Sequence, residues 1–114
     1  MATIYLNELK SLFQKVDLAE MDNIKLEFKH FFSGAAVYAN GKICITLTPA
    51  GFALKLSKSD IDSLLESVGN KRLRYFPNSP IKKDYVVISD NILKNGKSLG
   101  SLVRTSIDFV VERS

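Results

Sequence analysis

The sequence predicts an α+β fold, an antiparallel β-sheet with helices packed against it, in the order α-β-β-β-β-α-β-β-α. Three observations carry this. Apolar residues recur at helical spacing near the start, in the middle and at the end of the chain. Between the first two of these segments the pattern changes to strict alternation, the period of a strand with one wet face. The alternating runs are joined by short turn signals, too short for the crossovers that parallel strands need.

The first helix is marked by Tyr5, Leu9, Leu12, Phe13 and Val16 on one stripe, with Glu8, Lys10, Ser11, Gln14 and Lys15 on the other side and Thr3 as the expected cap. Ile24, Leu26 and Phe28 then alternate with Lys25, Glu27 and Lys29 to give a first strand. A Ser33-Gly34 turn leads into Ala35–Ala39. Asn40-Gly41 follows, and this pair between apolar runs favours a type I′ hairpin because both central residues need positive φ. The returning strand Lys42–Thr48 is expected to place Ile43, Ile45 and Leu47 on one face and Cys44 and Thr46 on the other. Pro49-Ala50-Gly51 turns the chain into Phe52–Leu56.

The second helix has a cap at Ser57 or Ser59, with Asp60 or Asp62 three residues on, and an apolar stripe of Ile61, Leu64, Leu65 and Val68. Gly69-Asn70 supplies its stop. Leu73–Phe76 and Asp84–Ile88 read as two further strands, separated by a loop at Pro77-Asn78-Ser79-Pro80. After a short turn of helix at Asp90–Leu93 and a break at Gly96, the spacing of Leu99, Val103, Ile107 and Val110 predicts a final helix. There β-branched Thr105, Ile107, Val110 and Val111 pull toward a strand, and length and period decide for the helix.

The totals fit one globular domain spanning residues 1–114. The chain has 114 residues, 46% of them hydrophobic and 25% charged. One Cys cannot form an intramolecular bridge, and a reducing, cytoplasmic home is the expectation. No basic-then-apolar secretory signal opens the sequence, and no run approaches the ~18 apolar residues of a membrane span. A net charge of +4 is too mild to name a nucleic-acid partner by itself.

The inventory for catalysis is thin. His30 is the only imidazole and continues the Ile24, Leu26, Phe28 face, where a hydrogen-bonded structural histidine is the expectation. Cys44, between Ile43 and Ile45, reads as a small buried hydrophobe rather than a reactive thiolate. One His and one Cys do not make a zinc set, and Asp60, Asp62 and Glu66 read as a solvated helix face. The glycines fall at turns and match neither phosphate-binding spacing. No catalytic, cofactor or metal site is therefore expected, and the chain is read as a non-enzyme.

Lys71, Arg72, Arg74, Lys82 and Lys83 lie in a stretch without acids that also holds Tyr75 and Phe76. Cations interleaved with aromatics contact phosphates and stack on bases, which makes this the candidate nucleic-acid segment. The same string arises from an edge strand with its charges turned outward.

Phe31-Phe32-Ser33-Gly34, then Tyr38, then Asn40-Gly41-Lys42-Ile43-Cys44, then Phe52-Ala53-Leu54-Lys55-Leu56 together resemble the amino-terminal domain of the TfoX/Sxy competence regulators. The likeness continues through Leu64 and Leu65, Tyr75-Phe76, Tyr85 and the last helix, and spans about Leu12 to Val110. Ser33 stands where the family has the first glycine of a pair, Ile43-Cys44-Ile45 replaces a Met-Phe-Ala-like run, and the last helix has no Trp. The resemblance implies a sheet packed with helices and a bacterial, non-enzymatic regulator. It further implies protein–protein contact in transcriptional control, with a partner of the cyclic-AMP receptor type of activator. Family regulators carry a second, helical domain; the expectation for residues 1–114 is the first domain alone, either as a stand-alone member or as part of a longer regulator. Direct nucleic-acid binding through residues 71–83 is the alternative, no membrane is expected, and oligomeric state is left open with a homodimer among the options.

Overall fold

The computed structural model describes residues 2–16, 21, 23–31 and 33–112; Phe32 of the aromatic motif lies outside them. The elements are α1 (Ala2–Gln14), β1 (Leu26–Phe31), β2 (Gly34–Ala39), β3 (Lys42–Thr48), β4 (Gly51–Lys55), α2 (Lys58–Leu65), β5 (Lys71–Leu73), β6 (Lys82–Val87), α3 (Asp90–Lys94) and α4 (Gly96–Glu112). The strands form one antiparallel sheet in the order β1-β2-β3-β4-β6-β5. Four strands run as a meander. The β5–β6 hairpin then folds back so that β6 pairs with β4 and β5 becomes the outer strand.

Asn40 and Gly41 turn β2 into β3 at φ 50° and 82°, the positive values a type I′ hairpin demands. The pairing then slips: Val37 faces Ile45 but Tyr38 faces Ile43, so Cys44 is an extra residue. Such a bulge lets two neighbouring residues turn toward one side. Cys44 accordingly joins Ile45 and Leu47 in the main core, while Thr46 stays on the opposite face. The expected alternation, with Cys44 beside Thr46, is corrected by this one extra residue.

The main core is the helix side of the sheet. Leu9, Phe13 and Val16 from the first helical segment, Ile61 from α2 and Leu99, Val103, Ile107 and Val110 from α4 meet Ala35, Val37, Ile45, Leu54, Leu56, Val86 and Ile88. Phe13 packs edge-on against Phe28, with ring centroids 5.1 Å apart at 86°, an arrangement worth about 0.5–1.5 kcal/mol beyond burial. The β-branched residues of α4 thus serve a helix, because four residues spaced by its period all reach the same core.

The caps decide the boundaries. Ser57 Oγ accepts from the Asp60 amide at 3.2 Å and starts α2. Asn70 Nδ2 donates to the Leu64 carbonyl at 2.9 Å and its Oδ1 accepts from Ser89 N at 2.8 Å, fastening the end of α2 to the start of α3. Asn95 Oδ1 accepts from Lys97 and Ser98 amides and opens α4, so the break falls at Asn95 rather than Gly96.

Other expectations need adjustment. Thr3 sits inside α1 rather than capping it. Val68 lies beyond the end of α2 and is 99% exposed, because the helix stops at Leu65 before its stripe reaches that far. β5 ends at Leu73, leaving Arg74, Tyr75 and Phe76 in the loop, and β6 starts at Lys82.

Candidate binding surface

The sheet has two unlike faces. A second buried cluster, Ala53, Leu73, Tyr85 and Val87 with Ala50 and Tyr75 at its margin, lies on the side away from the main core and, among the described residues, contains no helical residue. Register places Lys29, Ala36, Thr46 and Ala53 in one row across this face. Glu27, Tyr38, Lys55 and Tyr85 belong to the same side.

Two lysines lie over tyrosines there. Lys29 Nζ stands 5.1 Å from the Tyr38 ring centroid and Lys55 Nζ 5.8 Å from that of Tyr85. Each pair places a cation on the negative face of a ring, a contact worth roughly 0.5–1 kcal/mol at an exposed position. Tyr38 is half-buried and Tyr85 buried, so the rings back the two lysines, whose charge is what each pair presents on this face.

The loop after β5 crosses this face. Arg74 Nη1 donates to the Ser79 carbonyl at 2.8 Å, and Ser79 Oγ accepts from the Phe76 amide at 3.0 Å, which closes the loop on itself. Closure sets the Tyr75 ring 6.0 Å from Phe31. Burial raises the Tyr75 phenol above its ordinary value, and the Thr46 hydroxyl moderates the rise. That contact falls short of a full hydrogen bond, since buried Thr46 Oγ1 has no partner of good geometry. Phe76, by contrast, is 70% exposed. Tyr75, Phe76, Ser33, Thr48 and Pro49 enclose an apolar cleft of about 320 Å³ at this end of the face.

The five basic candidates come together on one hairpin. Lys71 and Arg72 are on β5, Arg74 opens the loop, and Lys82 and Lys83 begin β6; all five are exposed. They are not equally free. Arg74 holds the loop closed through Ser79. Arg72 Nη2 lies 3.9 Å from Asp62, which also receives Lys58 Nζ at 3.1 Å. Arg72 and Lys83 line an open groove of about 550 Å³ between the hairpin and α2, with Asp62 and Asp84 in the same wall.

His30 and Cys44 are not brought together. His30, expected as a structural histidine continuing the Ile24, Leu26, Phe28 face, is exposed on the outer strand opposite Ala35. Cys44 is fully buried, its Sγ donating to the Val37 carbonyl at 3.4 Å. Burial pushes its thiol up to about 12, although the Ile45 backbone and the Lys55 charge pull the other way. The thiolate needed for nucleophilic work is thus suppressed. Among the described residues no group of three His, Cys, Asp or Glu could hold a metal ion.

Sequence reasoning missed Lys29, Tyr38, Lys55 and Tyr85. The first two could have been aligned by counting back from the Ser33-Gly34 turn. Lys55 and Tyr85 could not, because their meeting depends on β6 pairing with β4 across a helix and a hairpin.

Among the described residues no helix is long and apolar enough to cross a membrane. The model of the TfoX N-terminal domain matches residues 17–110, most of the chain. No curated protein and no solved structure matches it.

Proposed function

Because this chain belongs to the TfoX N-terminal domain family, a regulatory, competence-related family of non-catalytic type, we propose that it works as a non-enzymatic docking module in transcriptional control. Its partner is a protein of the transcription-activator type, and its setting is the cytoplasm. The observation that carries this reading is the helix-free face, where Lys29–Tyr38 and Lys55–Tyr85 stand beside the Tyr75–Phe76 cleft. Interfaces favour such surfaces, since aromatic side chains provide large contact area and the flanking charges set orientation.

The test is a titration of the isotope-labelled chain with a purified activator of the cyclic-AMP receptor type. Amide shifts should cluster on β2, β4, β6 and the 74–79 loop, and Lys55→Glu with Phe76→Ser should weaken binding at least tenfold, or about 1.4 kcal/mol. Shifts confined to the helical side, or affinity unchanged in both variants, would rule the reading out.

The basic hairpin favours a second reading, direct nucleic-acid binding through Lys71, Arg72, Arg74, Lys82 and Lys83. Its mark is salt: affinity for a DNA duplex would fall steeply with ionic strength and drop further in Lys71→Ala, Lys82→Ala. Negligible binding at low salt removes it.

A further inference from the structure

The two edges of the sheet are not alike. β5 is three residues long and its pairing with β6 is interrupted between Arg72 and Leu73, which blunts that edge. β1 is six residues long and pairs with β2 without interruption, from Leu26 opposite Ala39 to Phe31 opposite Gly34. Such an edge offers a full row of backbone groups to another strand.

The groups that point outward can be identified. Just beyond the Leu26–Ala39 pair, the Asn40 amide donates to the Lys25 carbonyl at 2.8 Å and the Lys25 amide donates to Asn40 Oδ1 at 2.8 Å, so the backbone groups of Lys25 face β2 and set the phase of the ladder. Hydrogen-bonded pairs alternate along such a ladder. Residues 27, 29 and 31 therefore turn their backbone groups toward β2, and Leu26, Phe28 and His30 turn theirs away from the sheet.

We propose that β1 pairs antiparallel with β1 of a second copy of this chain, about a two-fold axis at Phe28, to make one continuous twelve-stranded sheet. This register uses the outward groups of all three residues: Phe28 meets Phe28 of the second copy, and Leu26 meets His30 in both directions. It also sets Glu27 directly across from Lys29 of the second copy, twice, on the helix-free face. Opposite charges in facing positions stabilise a strand pair, and like charges destabilise it. Moving the axis by one residue sets Glu27 against Glu27 or Lys29 against Lys29, so the charge pattern selects the Phe28 register. Within one chain Glu27 and Lys29 are only loosely paired, at 3.9 Å with the lysine side chain 55% exposed, so a facing strand competes with that pair and with the Lys29 contact on the Tyr38 ring. The two helix-free faces would then lie side by side.

The register makes a specific demand on charge. In Glu27→Lys each copy presents two lysines, and in Lys29→Glu two glutamates, so either variant alone should dimerise about tenfold more weakly or worse. Mixed together, the two variants restore both opposite-charge contacts in a heterodimer. Sedimentation velocity over a concentration series reads the first effect, and native mass spectrometry of the mixed, mass-distinguished variants reads the second. The expected result is a concentration-dependent wild-type dimer, two weakened variants and preferential heterodimer on mixing. A wild-type chain that stays monomeric throughout the series overturns the proposal, as does a dimer that neither reversal weakens or a mixture with no preference for the heterodimer. Circular dichroism of each variant confirms that the sheet is intact, and His30→Pro, which removes one outward amide on an exposed edge residue, should also weaken the dimer while leaving the monomer folded.

Discussion

Ser106 Oγ lies 3.1 Å from the Cys44 carbonyl oxygen and 2.8 Å from that of Lys55, so one buried hydroxyl on α4 ties the helix to two strands. The Cys44 contact falls at the bulge, where the ladder leaves a carbonyl in need of a donor. Ser106→Ala keeps the helix but leaves both oxygens without this donor. The expected loss is about 1–3 kcal/mol by urea denaturation. A loss within error would mean that both carbonyls find other donors.

Cys44 gives the fold a sensitivity to alkali. In the unfolded chain its thiol ionises at an ordinary value of 9.0, and in the fold only at about 12, because burial disfavours the thiolate. Above pH 9 the unfolded state therefore holds fewer protons. The stabilisation from keeping the thiol neutral is complete below that pH and is lost as pH rises toward 12. Tyr85 is shifted in the same direction, by burial first and then by the charges of its neighbours. The melting temperature should fall above pH 9, and less steeply in Cys44→Ala. Native alkylation with iodoacetamide at pH 8 should be slow and should accelerate in denaturant; fast labelling of the native chain contradicts the burial.

Two glycines should respond in different ways. A Cβ on Gly34 would collide with the Leu47 carbonyl oxygen and stand 2.9 Å from Thr48 Cα, both backbone of β3. Gly34→Ala is expected to cost about 3 kcal/mol or more. Gly41 has open space around it but a φ of +82°, so Gly41→Ala should cost only about 1 kcal/mol. Equal losses in thermal melts would count against the close approach at Gly34.

Tyr75 and Phe76 are neighbours with separate duties. Tyr75 packs on Phe31 and the second buried cluster, so Tyr75→Ala should cost about 1–3 kcal/mol. Phe76 is largely in solvent, and Phe76→Ser should stay within about 0.5 kcal/mol in the same denaturation assay. Any loss of partner binding in the Phe76 variant then reports on the surface and not on folding.

Much of the fold was legible because local rules agreed. The Asn40-Gly41 turn, the Lys42–Thr48 strand, the Ser57 cap and the buried stripe Leu99, Val103, Ile107, Val110 all stand where period and turn chemistry put them. The basic segment was legible as charge, since its five cations are close in sequence. The aromatic and lysine pairs were not, because the residues of each pair come from different strands.

The element order, the antiparallel meander and the family to which the chain belongs follow from spacing and turn residues within a few positions of one another. Packing between distant segments settled the rest: which side of the sheet, among the described residues, carries no helix, that Cys44 turns into the core, that His30 stands in solvent and that β1 is the longer of the two edge strands. Those outcomes depend on one extra residue at a bulge and on strand pairing across a helix and a hairpin. Local periodicity carries no record of them.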